Sequence, residues 1–518
     1  MRPALLIALP SGLVVSGVAS WCVRLLGALA ARGRPCGVIL HASPPRHPPL
    51  AMALDPRVRV TDLRHLPPLE DAAGEIEPFQ SHYDAAMRDL ADAAGSVVLC
   101  PTLIGDCYAL CARSALREPR ARLLAWLHSD IPYEYHLQRH FEPILSRFVP
   151  VSRTIERTLA GALPPRAADI VRIAHGIDMP PTCPERPPIR TSPSVPPRPL
   201  RLVYAGRLEH SPKRVLALIA ASDALTRRGV AHELAIVGDG PAAAELDAAA
   251  RSRPPVLRLR AKSPTQVLGL LAVADIALLA STFEGLSLAV VEAMSRGCVP
   301  VVTRTDSGDE LFDDAVSGIL VEAPATLPIE AVGEALADGV ARAAASLDAL
   351  RAGAFARARA HFSLETHADS VERLLDAVAA EPPRAWPADR PCAFAGAGGG
   401  SVPPDGPARL RRALANLRGR ALAIHATGRH TLELRDLLEP LARAAAAPNH
   451  APRLVAFTDD DPTRQGQSLW GVPILAPDRA ASSGATDVLI SSWINQGAIL
   501  ARRDVYERQG LRVHTLYD

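Results

Sequence analysis

The chain has 518 residues, 48% hydrophobic and 22% charged, with a formal net charge of +2 at neutral pH. That length exceeds what one hydrophobic core serves and implies two to four domains. The balanced charge excludes a basic nucleic-acid surface or an acidic tail as the organising feature.

The N-terminal stretch MRPALLIALPSGLVVSGVAS has the basic start, apolar run and small-residue end of a secretion signal. A first strand over Ala4–Leu9, a glycine loop around Gly17, a helix to Arg32 and a second strand in RGRPCGVILH account for more residues, and that reading is preferred. SVVLCPT, RLLAWLH and RFVPVS are further buried strands, and DIVRIAHGID closes the block with a last strand and a turn at Gly176 and Asp178. The proline-dense segment 179–199 follows as a stiff linker. Strands at LRLVYAG, HELAIVG, VLRLRA, IALLAS and VPVVT build a second block over 200–380, ending in an amphipathic helix, Leu364–Ala379. A Gly/Pro-rich linker covers 381–408. The third block, 409–518, repeats the scheme with a strand in RALAIHATG, a helix through RHTLELRDLLEPLARA, and strands in RLVAFTDDDP, DVLISSW and LRVHTLY. Strands alternating with helices throughout imply parallel sheets in an α/β fold.

The eight cysteines are Cys22, Cys36, Cys100, Cys107, Cys111, Cys183, Cys298 and Cys392. They form no CxxC pair and no zinc-ligand spacing, a pattern that fits reduced thiols in a cytosol. Cys107 and Cys111 share a helix face, which serves packing before metal binding. No run is long enough to span a membrane without Pro, Gly or a charge.

In open parallel sheets ligands bind outside the carboxyl ends of the strands. In the second block those ends hold AGRLEHSPK, GDGP and STFEGLSL. The run Ser281–Met294 is a strand end, a TFEG loop and a helix pattern, so Gly285 and the first helical amides form an anion site. Were the region helical throughout, Glu284 and Glu292 would stand roughly 12 Å apart, the reach of a sugar–diphosphate–ribose ligand. Carboxylates suit vicinal diols because each accepts two hydroxyls. A helix-start acid and a surface acid would give the same spacing. Arg207, just past Gly206, and Lys213 are two cations suited to a leaving diphosphate or to solvent. In the first block Gly17 opens a helix, and His128 ends a strand, where a histidine serves packing as well as function.

Together these residues resemble the family 4 retaining glycosyltransferases, whose GT-B fold pairs two Rossmann-like domains. The resemblance covers roughly residues 1–380. It rests on Ser16–Gly17, Leu127–His128, AHGID, Gly206 to Lys213, VGDGP and FEGLSLAVVEAMSRGCVPVV, followed by DSGDEL. It implies an N-terminal acceptor domain over 1–178 and a domain over 200–380 that binds a nucleotide-sugar donor, UDP- or GDP-linked. Arg207 and Lys213 would meet the diphosphate, and Gly206 and Gly17 would belong to the donor-binding set. Glu292 would hold the ribose. Glu284, Gly285, Leu286, Ser287 and Leu288 would hold sugar and phosphate, and His128 would face the sugar. The expected activity is transfer with retention to a glycan or lipid-linked acceptor, in cell-surface polysaccharide assembly. It needs no cofactor and no metal, in a cytoplasmic protein that meets the inner face of the membrane only peripherally. A nucleotide-sugar-binding scaffold or sensor and a GT-B epimerase are the alternatives. Departures are the single glycine at Gly17, the missing Pro and Asn in AHGID, and Lys262 where the family often has glycine.

The third block resembles a small Rossmann-like domain found at the start of sugar acyltransferases and the end of some methyltransferases, through HATGRHTLEL, FTDDDPTRQGQSLWGVPIL and DVLISSW. Its glycine loop keeps only Gly428, with Arg429 or His430 as substitutes. Asp459–Asp461 would meet a ribose or form an exposed acidic turn. Acceptor recognition is expected in the first-domain loops SHYDAAM and PYEYHLQRHFEP.

Overall fold

The structure is a computed structural model that describes residues 2–14, 16–42, 52–69, 75–187, 198–210, 212–305, 308–392, 394, 402, 406–443, 451–461, 464–493, 496–500 and 502–517. Residues 188–197 of the first proline-rich linker, Asp306 and Ser307 of DSGDEL, and most of 395–405 lie outside them. Two compact units emerge. One holds residues 1–130 and 134–392, the other 131–133 and 393–518.

The first unit contains two six-stranded sheets. The first is built from β1 (Ala4–Leu9), β2 (Cys36–His41), β3 (Arg59–Leu63), β4 (Val97–Pro101), β5 (Ala121–Leu127) and β6 (Leu145–Pro150). All pairs are parallel, in the order β3-β2-β1-β4-β5-β6. β1, β2 and β4 are buried at every residue, which is why they read as unbroken apolar runs. The second sheet has β7 (Leu200–Ala205), β8 (His232–Val237), β9 (Val256–Leu259), β10 (Ile276–Leu279), β11 (Val299–Thr303) and β12 (Ile319–Val321). Its order is β12-β11-β10-β7-β8-β9, so both sheets start in the middle and reverse direction there. That reversal splays the loops at the strand ends and opens a crevice, the position where open α/β sheets take ligands.

The chain returns to the first sheet at its end. The Leu364–Ala379 helix, found with the bounds expected, packs on the Gly17–Ala31 helix. Ile177 and Ser363 form a parallel bridge at the same crossing.

Three stretches differ from their sequence reading. Asp169–Asp178 is not a strand: Val171 and Ile173 donate to the Phe148 and Pro150 carbonyls and one bridge joins Phe148 to Ile170. Pro150 has no N–H to donate back, so the ladder stops there. SHYDAAM and PYEYHLQRHFEP are not loops. They lie in or start helices, Glu77–Ala94 and Pro132–Phe141, with apolar faces turned inward. RHTLELRDLLEPLARA forms two helices, Arg429–Glu433 and Arg435–Arg443, that meet at Leu434.

The second unit has β13 (Ala421–His425), β14 (Arg453–Thr458), β15 (Ser468–Leu469), β16 (Val472–Leu475), β17 (Asp487–Ile490) and β18 (Arg512–Thr515), ordered β15-β16-β14-β13-β17-β18. Its pairs are parallel except the β15–β16 hairpin, whose two-residue turn puts Trp470 and Gly471 at positive φ. Ala423, Ala456, Val488, Tyr506 and Leu511 share its core.

Candidate functional site between the two sheets of the first unit

The loop after β10 is tied down on both flanks. Thr282 N donates to the Pro212 carbonyl at 2.9 Å, and Thr303 Oγ1 to the Ser281 carbonyl at 2.5 Å. Within this frame Ser281 Oγ donates to Glu284 Oε1 at 2.6 Å and Lys213 Nζ lies 2.5 Å from the same oxygen. The following helix, Leu288–Ser295, starts without a side-chain cap. Its leading amides therefore remain available to an anion. Glu284 precedes the helix rather than lying on it.

Gly285 is where the two sheets' loops touch. A Cβ there would lie 2.2 Å from the His128 carbonyl oxygen, so only glycine permits this approach. Gly17 faces the same helix start: its Cβ position is 3.6 Å from Leu288 Cδ1. Glu292, one turn into the helix, pairs across the seam with Arg24 of the Gly17–Ala31 helix at 2.5 Å. The structure thus brings Gly17, His128, Gly285, Leu288 and Glu292 to one seam, with Glu284 and Lys213 joined beside it.

Arg207 sits differently. Its side chain is 72% exposed and pairs with Glu209 at 2.8 Å. Its carbonyl accepts the Tyr204 hydroxyl at 2.7 Å. Burial raises the Tyr204 phenol, Glu284 and Glu209 raise it further and Arg207 opposes them, so all three charges surround one hydroxyl. Gly206 packs against that hydroxyl, 2.9 Å from its Cβ position.

His128 is buried and neither ring nitrogen finds a hydrogen-bond partner among the described residues. Its ring stacks on His175 at 5.3 Å and meets Trp21 edge-on at 4.7 Å. Burial, with a smaller contribution from His367, holds it down to about 3. Its peptide N–H donates to Glu134 Oε2 at 3.1 Å. Burial pushes the Glu134 carboxyl up to about 8, against the pull of the Ser129 and His128 amides. His367 links the group to the chain's return: Trp21 Nε1 donates to its Nε2 at 3.2 Å, and its Nδ1 lies 2.8 Å from the Ala174 carbonyl.

Sequence reasoning missed Arg24, Glu134, His175 and His367. Arg24 carried a signal, being the only charge in GVASWCVRLLGALAA. The other three lie far from their partners in sequence or look like ordinary surface residues. Beside Leu286 a cavity of about 290 Å³ opens between Arg153, Arg172, Glu310, Arg357 and His361. Its lining carries three arginines and one glutamate: Glu310 accepts the Arg153 amide at 2.5 Å, and Arg172 and Arg357 reach outward to Glu156 and Asp313 at 3.3 Å.

Among the described residues no group of three or more His, Cys, Asp or Glu is arranged to hold a metal ion. No helix among them is long and apolar enough to cross a membrane. All eight cysteines are free, and Cys107 and Cys111 are buried in one helix. In the second unit the corresponding groups are engaged internally. Asp459 Oδ2 accepts the Thr427 amide at 2.8 Å, and His430 lies 3.1 Å from Ser491 Oγ and 2.7 Å from the Tyr517 hydroxyl.

Residues 199–340 match the family described as Glycosyl transferases group 1. Two curated relatives are the GDP-mannose-dependent alpha-(1-6)-phosphatidylinositol dimannoside mannosyltransferases of Mycobacterium tuberculosis strains ATCC 25177 / H37Ra and CDC 1551 / Oshkosh. Each is 35% identical over 119 residues, 22% of this chain. The match spans 30% of those relatives' length. Among solved structures, Anabaena HepE in complex with UDP and glucose superposes with a TM-score of 0.55 at 18% identity, covering 73% of this chain and 100% of its own. Sucrose-phosphate synthase from Thermosynechococcus elongatus gives 0.54 at 16%, covering 72% and 98%. The lipopolysaccharide outer core galactosyltransferase WaaB, in its apo form, gives 0.52 at 15%, covering 72% and 100%. The chain therefore has an α/β fold with two Rossmann-like domains in the GT-B arrangement and a third, mostly parallel sheet.

Proposed function

We propose that the protein is a retaining glycosyltransferase. It moves a sugar from a UDP- or GDP-sugar to a glycan or lipid-linked acceptor in cell-surface polysaccharide or glycolipid assembly. It works without a metal, in the cytoplasm and at the inner membrane face. The observation that carries this reading is the Ser281–Ser295 segment, pressed through Gly285 against the His128 peptide, with Glu284 and Glu292 at its two ends. The family match of 199–340 supports it, as do relatives named for a GDP-mannose donor and a fold neighbour solved with UDP and glucose.

In this reading Glu284 accepts hydroxyls of the transferring sugar. The amides of Gly285 to Leu288, with Lys213 and Arg207, meet the diphosphate, and Glu292 accepts the ribose diol. As the bond from the anomeric carbon to the diphosphate oxygen breaks, negative charge grows on that oxygen, where the helix start and the two cations oppose it. The acceptor hydroxyl attacks the same face and gives its proton to the departing phosphate, so configuration is kept and no enzymic nucleophile is required. His128 backs the sugar site through its peptide at Gly285, and its neutral ring, buried against His175 and Trp21, meets a sugar hydroxyl only where the seam parts. The cavity beside Leu286 offers room for the acceptor.

The test is nucleotide release from a panel of UDP- and GDP-sugars with oligosaccharide and polyprenyl-linked acceptors. Glu284→Ala is expected to lower turnover by about 100-fold or more, as for other groups that stabilise a transition state. Unchanged turnover in that variant would remove the proposal.

A further inference from the structure

The Arg24–Glu292 pair has no part in that donor grip and stands in its way. The Gly17–Ala31 helix carries one charge, Arg24, and the Leu288–Ser295 helix carries one, Glu292. These two single charges meet across the seam at 2.5 Å, with side chains only 9% and 15% exposed. Arg24 Nη1 is buried and has no hydrogen-bond partner among the described residues. A second guanidinium, Arg296, is close enough that Arg24 lowers and Glu292 raises its affinity for a proton, after the larger effects of burial and Asp178.

We propose that Arg24 competes with the ribose of the donor for Glu292, so that nucleotide binding loosens the clasp between the two halves of the first unit. The proposal rests on the reading that Glu292 accepts the ribose diol. A diol that takes Glu292 Oε1, the atom Arg24 holds, leaves that buried guanidinium without its hydrogen-bond acceptor, a state that is unfavourable unless the arginine turns away or shifts to the other oxygen. Conversely, the donor-free enzyme is held closed by the pair, and any donor must displace it. Arg24 therefore sets donor affinity from the domain opposite the donor site.

The experiment has two parts, both on the full chain. A double-mutant cycle of Arg24→Gln, Glu292→Gln and the pair, read by urea unfolding without nucleotide, measures the clasp. Calorimetric titration of the same variants with UDP and GDP measures donor-site affinity. Arg24→Gln is expected to bind nucleotide about fivefold or more tighter than wild type, the scale of ordinary site coupling, and Glu292→Gln to bind it more weakly. If Arg24→Gln binds equally or more weakly while Glu292→Gln is weakened, the competition is overturned and the ribose assignment stands. If Glu292→Gln binds like wild type, the ribose assignment fails and the competition with it. Additive effects in the cycle overturn the clasp. Should Arg24→Gln fold poorly, Arg24→Lys, which keeps the charge but not the planar fork, is expected to shift affinity in the same direction by about twofold, a fraction of that coupling.

Discussion

After β10 the chain turns through Gly285 into a helix at Leu288; after β13 it turns through Gly428 into a helix at Arg429. At Gly285 an added Cβ would collide with the His128 carbonyl at 2.2 Å, whereas at Gly428 the nearest atom is the guanidinium end of Arg464, 3.9 Å away. The acids differ in the same sense. Glu284 and Glu292 take cations, Lys213 and Arg24, that a ligand could replace. Asp459 also pairs with a cation, Arg464, at 3.4 Å, but its Oδ2 is held as well by the buried Thr427 amide at 2.8 Å and by the Thr427 hydroxyl. A glycine after a Rossmann strand thus acquires meaning only from what approaches it, and an acid only from whether its partner is exchangeable.

The comparison breaks most sharply at the glycines. Gly285→Ala should lower sugar transfer by about 100-fold or more, since a backbone misplacement of about 1 Å can remove that much. Gly428→Ala should leave transfer within about twofold, because its extra methyl meets only a flexible side chain. Equal effects of the two, measured by initial rates and circular dichroism, would erase the distinction drawn here.

The next effect is on stability against pH. Burial holds His128 down to about 3 and His367 to about 4, and takes His175 well below its ordinary value. Folded pKa values below the unfolded ones mean that the unfolded chain binds more protons as pH falls below about 6.5. These groups therefore lose stability on acidification, each by roughly 1.4 kcal/mol per pH unit in that window. Glu134 has the opposite sign. Raised to about 8, it favours the folded state as pH falls from 8 toward the ordinary carboxylate range. Urea unfolding at pH 8, 6.5 and 5 should give the highest midpoint near 6.5. A midpoint still rising at pH 5 would contradict burial of neutral imidazoles.

A smaller effect falls in the second unit. Asp459→Ala leaves the buried Thr427 amide unsatisfied, which should destabilise that unit by about 1–3 kcal/mol. Donor turnover should be unaltered. A loss of turnover equal to that of Glu284→Ala would give the second unit a catalytic share.

Most of the fold was legible because its strands are buried on both faces and its helices are amphipathic; Val299–Thr303 and Leu364–Ala379 were read to the residue. β3 was not, because RVTDL is an edge strand with mostly exposed residues and no apolar run. Asp169–Asp178 was over-read because its apolar pattern says nothing about the missing N–H of Pro150. Around the candidate site, the positions of Gly17, Glu284 and Gly285 at a helix start or after a strand end, and of Glu292 one turn into a helix, follow from local pattern. The partners of those residues did not follow. Arg24 lies 268 positions from Glu292, and His367 lies 346 from Trp21, so only the folded sheets bring them together.

The most direct measurement is a calorimetric titration of UDP- and GDP-sugars into wild type, Glu284→Ala and Glu292→Ala. The account predicts one site per chain for a sugar of one nucleotide class. Nucleotide affinity should fall by about tenfold or more on loss of Glu292, the scale of a charged hydrogen-bond acceptor, and sugar discrimination should be lost with Glu284. Wild-type affinity in both variants would contradict it.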